Sequence, residues 1–264
     1  MVLFELCVDS VKGLEECIEQ GVGRIELCSC LTLGGLTPSA GLICCVLDIV
    51  QSRIPVHVLI RPRPGDFVYT SDELAVMIRD IRMAAQLGVA GVVIGALMPD
   101  GSVDEISTRQ LLDVAIEEGL QTVVFHRAFD MCADLKSALK QIMRLGIKRI
   151  LTSGGCQSAV EGDDVISDLV KQSCGDVIIM AGGGVSPCNV GSILATTRVT
   201  EIHGSAQRNI NSLVMYRRPG VSLESNATAT TPELSQQYQQ KAVSIDVVKG
   251  ILDAIRAHER RTII

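Results

Sequence analysis

The chain has 264 residues, of which 47% are hydrophobic, 20% are charged and 3% are aromatic, and its formal net charge is −6. This length is close to the roughly 250 residues of a single (β/α)8 barrel, and an acidic balance without a basic stripe argues against binding of nucleic acid. No apolar run reaches the roughly 18 residues of a membrane span, and the N-terminus lacks the basic start of a signal peptide, so we expect a cytoplasmic protein with reduced thiols.

Eight short, nearly continuous apolar runs follow one another along the chain, and each is typical of a strand buried on both faces of a parallel sheet. Helix-period segments separate them, and sequences of the capping-box type predict helix starts at Thr70, Ser102 and Ser158. Eight βα units in this order predict an α/β fold with one domain over residues 1–264, a single (β/α)8 TIM barrel. The predicted strands are Val2–Val8, Arg24–Cys28, Val56–Ile60, Gly91–Gly95, Thr122–His126, Arg149–Thr152, Val177–Met180 and Thr200–His203.

One connection breaks this alternation. Residues at about 207–239, between the last predicted strand and a closing helix that contains Val243 and Ile255, are rich in Ser, Thr and Asn. Connections of this length are usually lids or lack a fixed structure. We therefore predict a long mobile loop here, with an apolar piece, Leu213–Leu223, that is able to dock on the barrel.

Polar residues are concentrated at the predicted carboxyl ends of the strands, where (β/α)8 enzymes build their sites, and are scarce at the other ends. Glu5 and Cys7 share one face of the first strand, and Glu26 and Cys28 share one face of the second, because side chains alternate along a strand. Neighbouring strands lie about 4.8 Å apart, so inward-facing pairs would bring two sulfurs within reach of one soft metal ion. Two thiolates without clustered histidines favour Cu(I) over zinc. The alternative is a pair of core thiols, with both carboxylates paired to arginines inside the mouth.

Other side chains at the same end indicate a small-molecule site. His126 has the chemistry of a general acid or base, with Glu26 or Asp130 assisting, or else it is a hydrogen-bonded core histidine. Glycines after the seventh and eighth strands stand where barrels commonly bind phosphate, or else they form tight turns at the rim. The candidate anion-binding residues are Arg61, Arg63, Arg127, Gly182, Gly183, Gly184, Gly204 and Ser205.

Strings of residues spread over roughly 1–206 carry a resemblance to a known family. They are Glu5–Ser10, Arg24–Cys28, Gly34–Ser39, Arg61–Arg63, Gly65–Phe67, Gly95–Leu97, Phe125–Asp130, Leu151–Gly154, Glu161–Gly162, Gly182–Gly184 and His203–Ala206. Together they resemble the CutC family of copper homeostasis proteins. Two positions depart from the family's pattern, since Pro64 stands where Gly is common and Ala181 stands where Pro is common.

The resemblance implies a (β/α)8 barrel, a cytoplasmic setting that extends to the nucleus in eukaryotic members, and a homo-oligomer, either a dimer or a tetramer. It also implies a role in copper homeostasis and one Cu(I) per subunit, held by the thiols of Cys7 and Cys28. Many members of the family have no known enzymatic activity.

Three hypotheses for the function follow. The first is a Cu(I)-binding protein of intracellular copper handling. The second is an enzyme acting on a small phosphorylated or carboxylated metabolite, because a copper carrier does not need so dense a polar ring. The third is an oligomeric scaffold, which predicts that arginines and carboxylates at the rim pair with one another and leave no open pocket.

Overall fold

The barrel is seen in a computed structural model, which describes residues 1–216, 218 and 239–262. Within these ranges, eight parallel strands form one closed barrel in chain order, because the eighth strand pairs with the first. The predicted (β/α)8 TIM barrel is therefore confirmed. The barrel strands are Leu3–Val8 (β1), Arg24–Leu27 (β2), Val56–Leu59 (β3), Gly91–Ile94 (β4), Thr122–Phe125 (β5), Arg149–Thr152 (β6), Ile178–Gly182 (β7) and Glu201–Gly204 (β8).

Helices follow the strands and cover the outside of the barrel. The predicted capping box is present at one of them, since the Thr70 hydroxyl accepts the Glu73 N–H at 3.3 Å and the Glu73 carboxylate accepts the Thr70 N–H at 2.8 Å. No helix in the described part of the chain is long and apolar enough to cross a lipid bilayer. The helices are Leu14–Glu19 (α1), Ala40–Val50 (α2), Ser71–Gln86 (α3), Glu105–Glu117 (α4), Leu135–Leu145 (α5), Asp163–Ser173 (α6), Val190–Thr197 (α7) and Ile245–Thr262 (α8).

Two other predicted helix starts are wrong. Asp104 caps α4, so the prediction at Ser102 is two residues too early. A carboxylate oxygen is as good an acceptor for the free N–H groups of a first turn as a hydroxyl. Ser158 and Glu161 do hydrogen-bond to each other at 2.9 Å, but they close a separate turn, and α6 begins only at Asp163.

The connection predicted as a loop at about 207–239 contains regular structure at both ends. Gln207–Asn211 (β9) and Gln239–Val243 (β10) form an antiparallel pair that leads into α8. The start of the apolar piece, Leu213–Tyr216, is largely exposed, with Met215 at 99%. Residues 217 and 219–238 of this prediction lie outside the described residues.

Apolar packing forms two separate cores. The larger lies between the strands and the helices, and the smaller fills the inside of the barrel. Inward-facing aliphatic side chains dominate the inner core, as is usual for this fold. The inner core consists of Cys7, Cys28, Leu59, Val93, Val124, Leu151 and Met180.

A layer of buried charges lies below the inner core, at the amino ends of the strands. Arg24 contacts both Glu5 and Glu201, and Arg149 binds Glu201 through two hydrogen bonds of 2.7 Å. The expectation that polar residues are scarce at this end is wrong. Opposite charges that stand on neighbouring strands satisfy one another inside the barrel, as the direct Glu5–Arg24 register pair shows.

Candidate functional site

A cavity of about 260 Å³ opens at the carboxyl ends of the strands, where the fold places its sites. Its walls combine apolar side chains, such as Leu59, Phe67 and Leu151, with most of the polar residues that the sequence singled out. The scaffold hypothesis predicts a rim without an open pocket, and this cavity argues against it. The predicted residues that line the cavity are Cys7, Glu26, Arg61, His126, Arg127, Gly183, Gly184, Gly204 and Ser205.

Two thiols meet at the floor of this cavity. The sulfur of Cys7 lies 3.9 Å from the sulfur of Cys28, and both residues are buried. Strand alternation explains the meeting, because Cys7 stands opposite Glu26 in the β1–β2 register and Cys28 follows two residues later on the same face. Cys7 lines the cavity, whereas Cys28 lies behind it and contacts the Val8 carbonyl oxygen at 3.5 Å.

A carboxylate and a histidine stand beside the thiols. Donor atoms of Cys7, Glu26 and His203 all lie within 4.8 Å of one another, a spacing that suits a metal ion. The Cys7 thiol donates to Glu26 Oε1 at 3.6 Å, while Glu26 Oε2 is buried and has no hydrogen-bond partner among the described residues. His203 Nδ1 bonds to Glu5 Oε1 at 2.8 Å, so its Nε2 remains for a ligand. A carboxylate behind the ring is the usual support of a metal-binding histidine.

His203 was not among the predicted ligands, although it ends a predicted strand. Barrel closure supplies the missing signal, because β8 pairs with β1 and aligns His203 with Glu5. His203 is therefore level with Glu5, and Glu5 shares the inward face of β1 with Cys7, so the His203 ring lies near the Cys7 thiol.

Burial and mutual repulsion control the charge of this cluster. The hydrogen bond to Cys28, burial and the nearby carboxylate of Glu26 raise the pKa of the Cys7 thiol well above its usual 9.0. Burial raises the pKa of Glu26 to about 7, against the attraction of His203. Burial lowers the pKa of His203, but Glu26 and Glu5 outweigh it, and the net shift is upward. Each of these groups would thus lose its proton to solvent on binding a metal ion.

Arg61 enters the cavity without a carboxylate partner. Its side chain donates to the carbonyl oxygens of Leu33 and Gly35 at 3.0 Å and of Gly65 at 2.7 Å, and its guanidinium lies 4.9 Å from the Phe67 ring centroid. The arrangement fixes two loops around one buried positive charge.

His126 is neutral and acts as a donor. Its Nδ1 accepts the N–H of Ala128 at 3.0 Å, and its buried Nε2 has no partner among the described residues. Burial and the charge of Arg61 lower the pKa of His126 to about 3. Since Nδ1 is an acceptor, the proton of the neutral ring belongs to Nε2.

Besides Cys28, three predicted residues do not reach the cavity. Arg63 turns outward to Glu73 and Asp66, because the strand's alternation ends in the Pro-rich loop. Asp130 accepts the N–H groups of the Ser153 and Gly155 backbones at 3.0 Å, so it holds a loop. It also binds Arg127 at 2.7 Å. Gly182, the third, ends β7 and does not line the wall.

Fold and site together define a (β/α)8 barrel with paired thiols, an acid and a histidine at its carboxyl mouth. The chain belongs to the CutC family, whose model matches residues 2–208. It is 48% identical over 217 residues to a family protein CutC of Vibrio vulnificus, covering 82% of this chain and 85% of that one.

One solved structure agrees with this assignment, and a second shares the fold alone. A candidate copper homeostasis protein CutC from Streptococcus agalactiae superposes with a TM-score of 0.73 at 36% identity, over 78% of this chain and 99% of the other. Phosphoribosylanthranilate isomerase of Thermotoga maritima gives a TM-score of 0.56 at 11% identity, over 97% of this chain and 100% of the other, a likeness of fold alone.

Proposed function

We propose that this protein binds one Cu(I) per subunit between Cys7 and Cys28 and serves intracellular copper handling. The observation that carries the proposal is the 3.9 Å separation of the two sulfurs at the floor of an open cavity. Zinc–thiolate bonds are about 2.3 Å long, and if a Cu(I)–thiolate bond is similar, two sulfurs at this separation can both bind a single ion.

The chemistry of the donor set favours a soft ion. Thiolates select Cu(I), whereas a structural zinc site normally needs four nitrogen or sulfur ligands. Here Glu26 and the Nε2 atom of His203 are the further donors, and the unpartnered Glu26 oxygen is a reason to expect a cation. Membership of the CutC family and the copper role attached to the Streptococcus agalactiae relative support the same reading.

The proposal extends to where the protein works and how it assembles. The ten cysteines are free in the structure, which suits the reducing cytoplasm and, in a eukaryotic cell, the nucleus. We also propose a homo-oligomer, a dimer or a tetramer, which sedimentation equilibrium would identify.

An anaerobic Cu(I) titration against a competing chromogenic chelator tests the site. We expect one tight equivalent in the parent protein and its loss in the Cys7→Ser, Cys28→Ser double variant. Cys17→Ser is the matched control, because Cys17 is equally buried but lies on α1. Tight binding that survives in the double variant would assign copper to other thiols and end the proposal. The exposed alternatives are Cys30, Cys44, Cys45, Cys174 and Cys188.

A further inference from the structure

Two N–H groups in the mouth are not used by the proposed copper site. Arg61 Nε and His126 Nε2 are buried and have no hydrogen-bond partner among the described residues, although both side chains line the cavity. A buried donor without an acceptor has lost its hydrogen bond to water and gained none, so native proteins seldom leave one unused. Both groups are donors, and they would be satisfied by an acceptor that enters the cavity.

The charge of Arg61 points the same way. Its residue exposure is 6%, and its surroundings are neutral, since it donates to three carbonyl oxygens and also interacts with the Tyr69 hydroxyl. None of the salt bridges among the described residues includes Arg61, whereas the buried Arg24 and Arg149 both bind carboxylates. A buried charge normally has a counter-ion. The missing negative charge would come from a ligand.

Residues of two loops after the seventh and eighth strands line the same cavity. Gly183 and Gly184 adopt φ angles of +103° and +69°, conformations that side-chain-bearing residues rarely adopt. A Cβ on Gly183 would also lie 3.2 Å from the Ser153 Cβ. Within the described residues, the N–H groups of Gly183, Gly184, Val185 and Ser205 donate to no protein acceptor. Successive free N–H groups form anion-binding concavities in many proteins, and the loops after the seventh and eighth strands are where barrels commonly bind phosphate.

From these observations we infer that the cavity binds a small organic oxyanion, a phosphate or a carboxylate. Its charged oxygens accept hydrogen bonds from Arg61, His126 and the two loops, and its carbon body contacts Leu59, Phe67 and Leu151. A volume of about 260 Å³ lies just below the roughly 300–1,000 Å³ of pockets for larger ligands, so the ligand is a small metabolite. This binding uses different residues from the copper site and goes beyond the copper function.

Calorimetric titration of the metal-free protein tests the inference. The probes are inorganic phosphate, glycerol 3-phosphate and lactate, which separate a phosphate ligand from a carboxylate one. We expect at least one probe to bind the parent, and His126→Phe to weaken that binding about tenfold, the loss of one hydrogen bond. His126→Gln, which keeps an N–H donor, should restore part of the affinity.

Arg61→Met should weaken binding at least as much as His126→Phe. Arg63→Met is its matched control, because Arg63 follows two residues later but pairs with Glu73 outside the cavity. If Arg61→Met fails to fold, the two His126 variants decide the question. The inference is overturned if no probe binds the parent at millimolar concentration. It is also overturned if Arg63→Met weakens binding as much as Arg61→Met does, or if neither His126 variant changes the affinity.

The Cys7→Ser, Cys28→Ser protein separates this inference from the copper proposal. It should bind the oxyanion as tightly as the parent while losing Cu(I). Loss of oxyanion binding in that protein would contradict the assignment to Arg61 and His126. Failure of the parent to bind Cu(I), with oxyanion binding intact, would contradict only the copper proposal.

Discussion

The buried charge layer below the inner core predicts a large and specific loss of stability on Arg24→Met. Arg24 is 3% exposed, and its guanidinium neutralises the carboxylates of Glu5 and Glu201. Removing one partner of a buried ion pair costs about 3–5 kcal/mol, because the other charge stays buried. Glu5 keeps its bond to His203 and Glu201 keeps its two bonds to Arg149, so we expect the lower end, about 3 kcal/mol. That is a large share of a domain's total stability of about 5–15 kcal/mol.

Urea unfolding followed by circular dichroism measures this loss. Arg53→Met is the matched control, since Arg53 also binds a carboxylate with two hydrogen bonds, of 2.8 and 2.6 Å to Glu15, but its side chain is 38% exposed. An exposed pair contributes far less to stability than a buried one, because water screens its charges. Combining Arg24→Met with Glu5→Gln should cost less than the sum of the single changes, because the second change removes the stranded charge. Equal losses for Arg24→Met and Arg53→Met would show that burial does not set the contribution of the Arg24 ion pairs.

Two further predictions concern acid stability and the shape of the mouth. Burial alone would raise the pKa of Glu201, but the hydrogen bonds and charges of Arg149 and Arg24 lower it below the usual 4.5. The stabilisation by the ionised Glu201 carboxylate is therefore complete above pH 4.5 and is lost as the pH falls below that value. In a plot of the unfolding midpoint against pH, Glu201→Gln should reduce the slope in this range. An unchanged slope would argue against this role of Glu201. Gly95→Ala places a Cβ 2.5 Å from His126 Cε1, so we expect it to destabilise the protein by about 1–3 kcal/mol in thermal unfolding. Because the clash displaces the His126 ring, the variant should also bind the oxyanion more weakly. A variant with the affinity of the parent would show that oxyanion binding does not depend on the position of His126.

Much of the site follows from strand alternation and the order of strands. Cys7 and Cys28 were predicted to meet because they share inward faces of consecutive strands, and the structure brings their sulfurs to 3.9 Å. Predicting His203 as part of the site requires the pairing of β8 with β1, which only a closed barrel provides. Strand alternation does not predict which ion or molecule binds, because that depends on the charge states of the buried thiols, carboxylate and histidine.

Side-chain directions beyond the strand ends could not be derived in this way. Arg61 and Arg63 look equivalent in sequence, yet the first enters the cavity and the second pairs with Glu73, because both lie beyond the end of β3 at Leu59, where strand alternation no longer sets side-chain direction. Asp130 likewise reads as a catalytic acid, although its oxygens accept loop N–H groups. Loop geometry decides both cases, and periodicity does not report it.

The ionic layer and the mouth are joined through one residue. Glu5 contacts Arg24 below and hydrogen-bonds to His203 above, and although burial opposes ionisation, the bond from His203 and the charge of Arg24 hold the pKa of Glu5 at about 2. An ionised Glu5 fixes the His203 ring with Nε2 free. The buried charges therefore orient a candidate metal ligand as well as stabilising the barrel.

Anomalous diffraction at the copper edge, from crystals loaded with one equivalent of Cu(I) under anaerobic conditions, tests the copper site most directly. We expect a single strong peak bonded to the sulfurs of both Cys7 and Cys28, at the floor of the mouth. Peaks confined to exposed thiols such as Cys44 and Cys45, with the mouth free of copper, would contradict it.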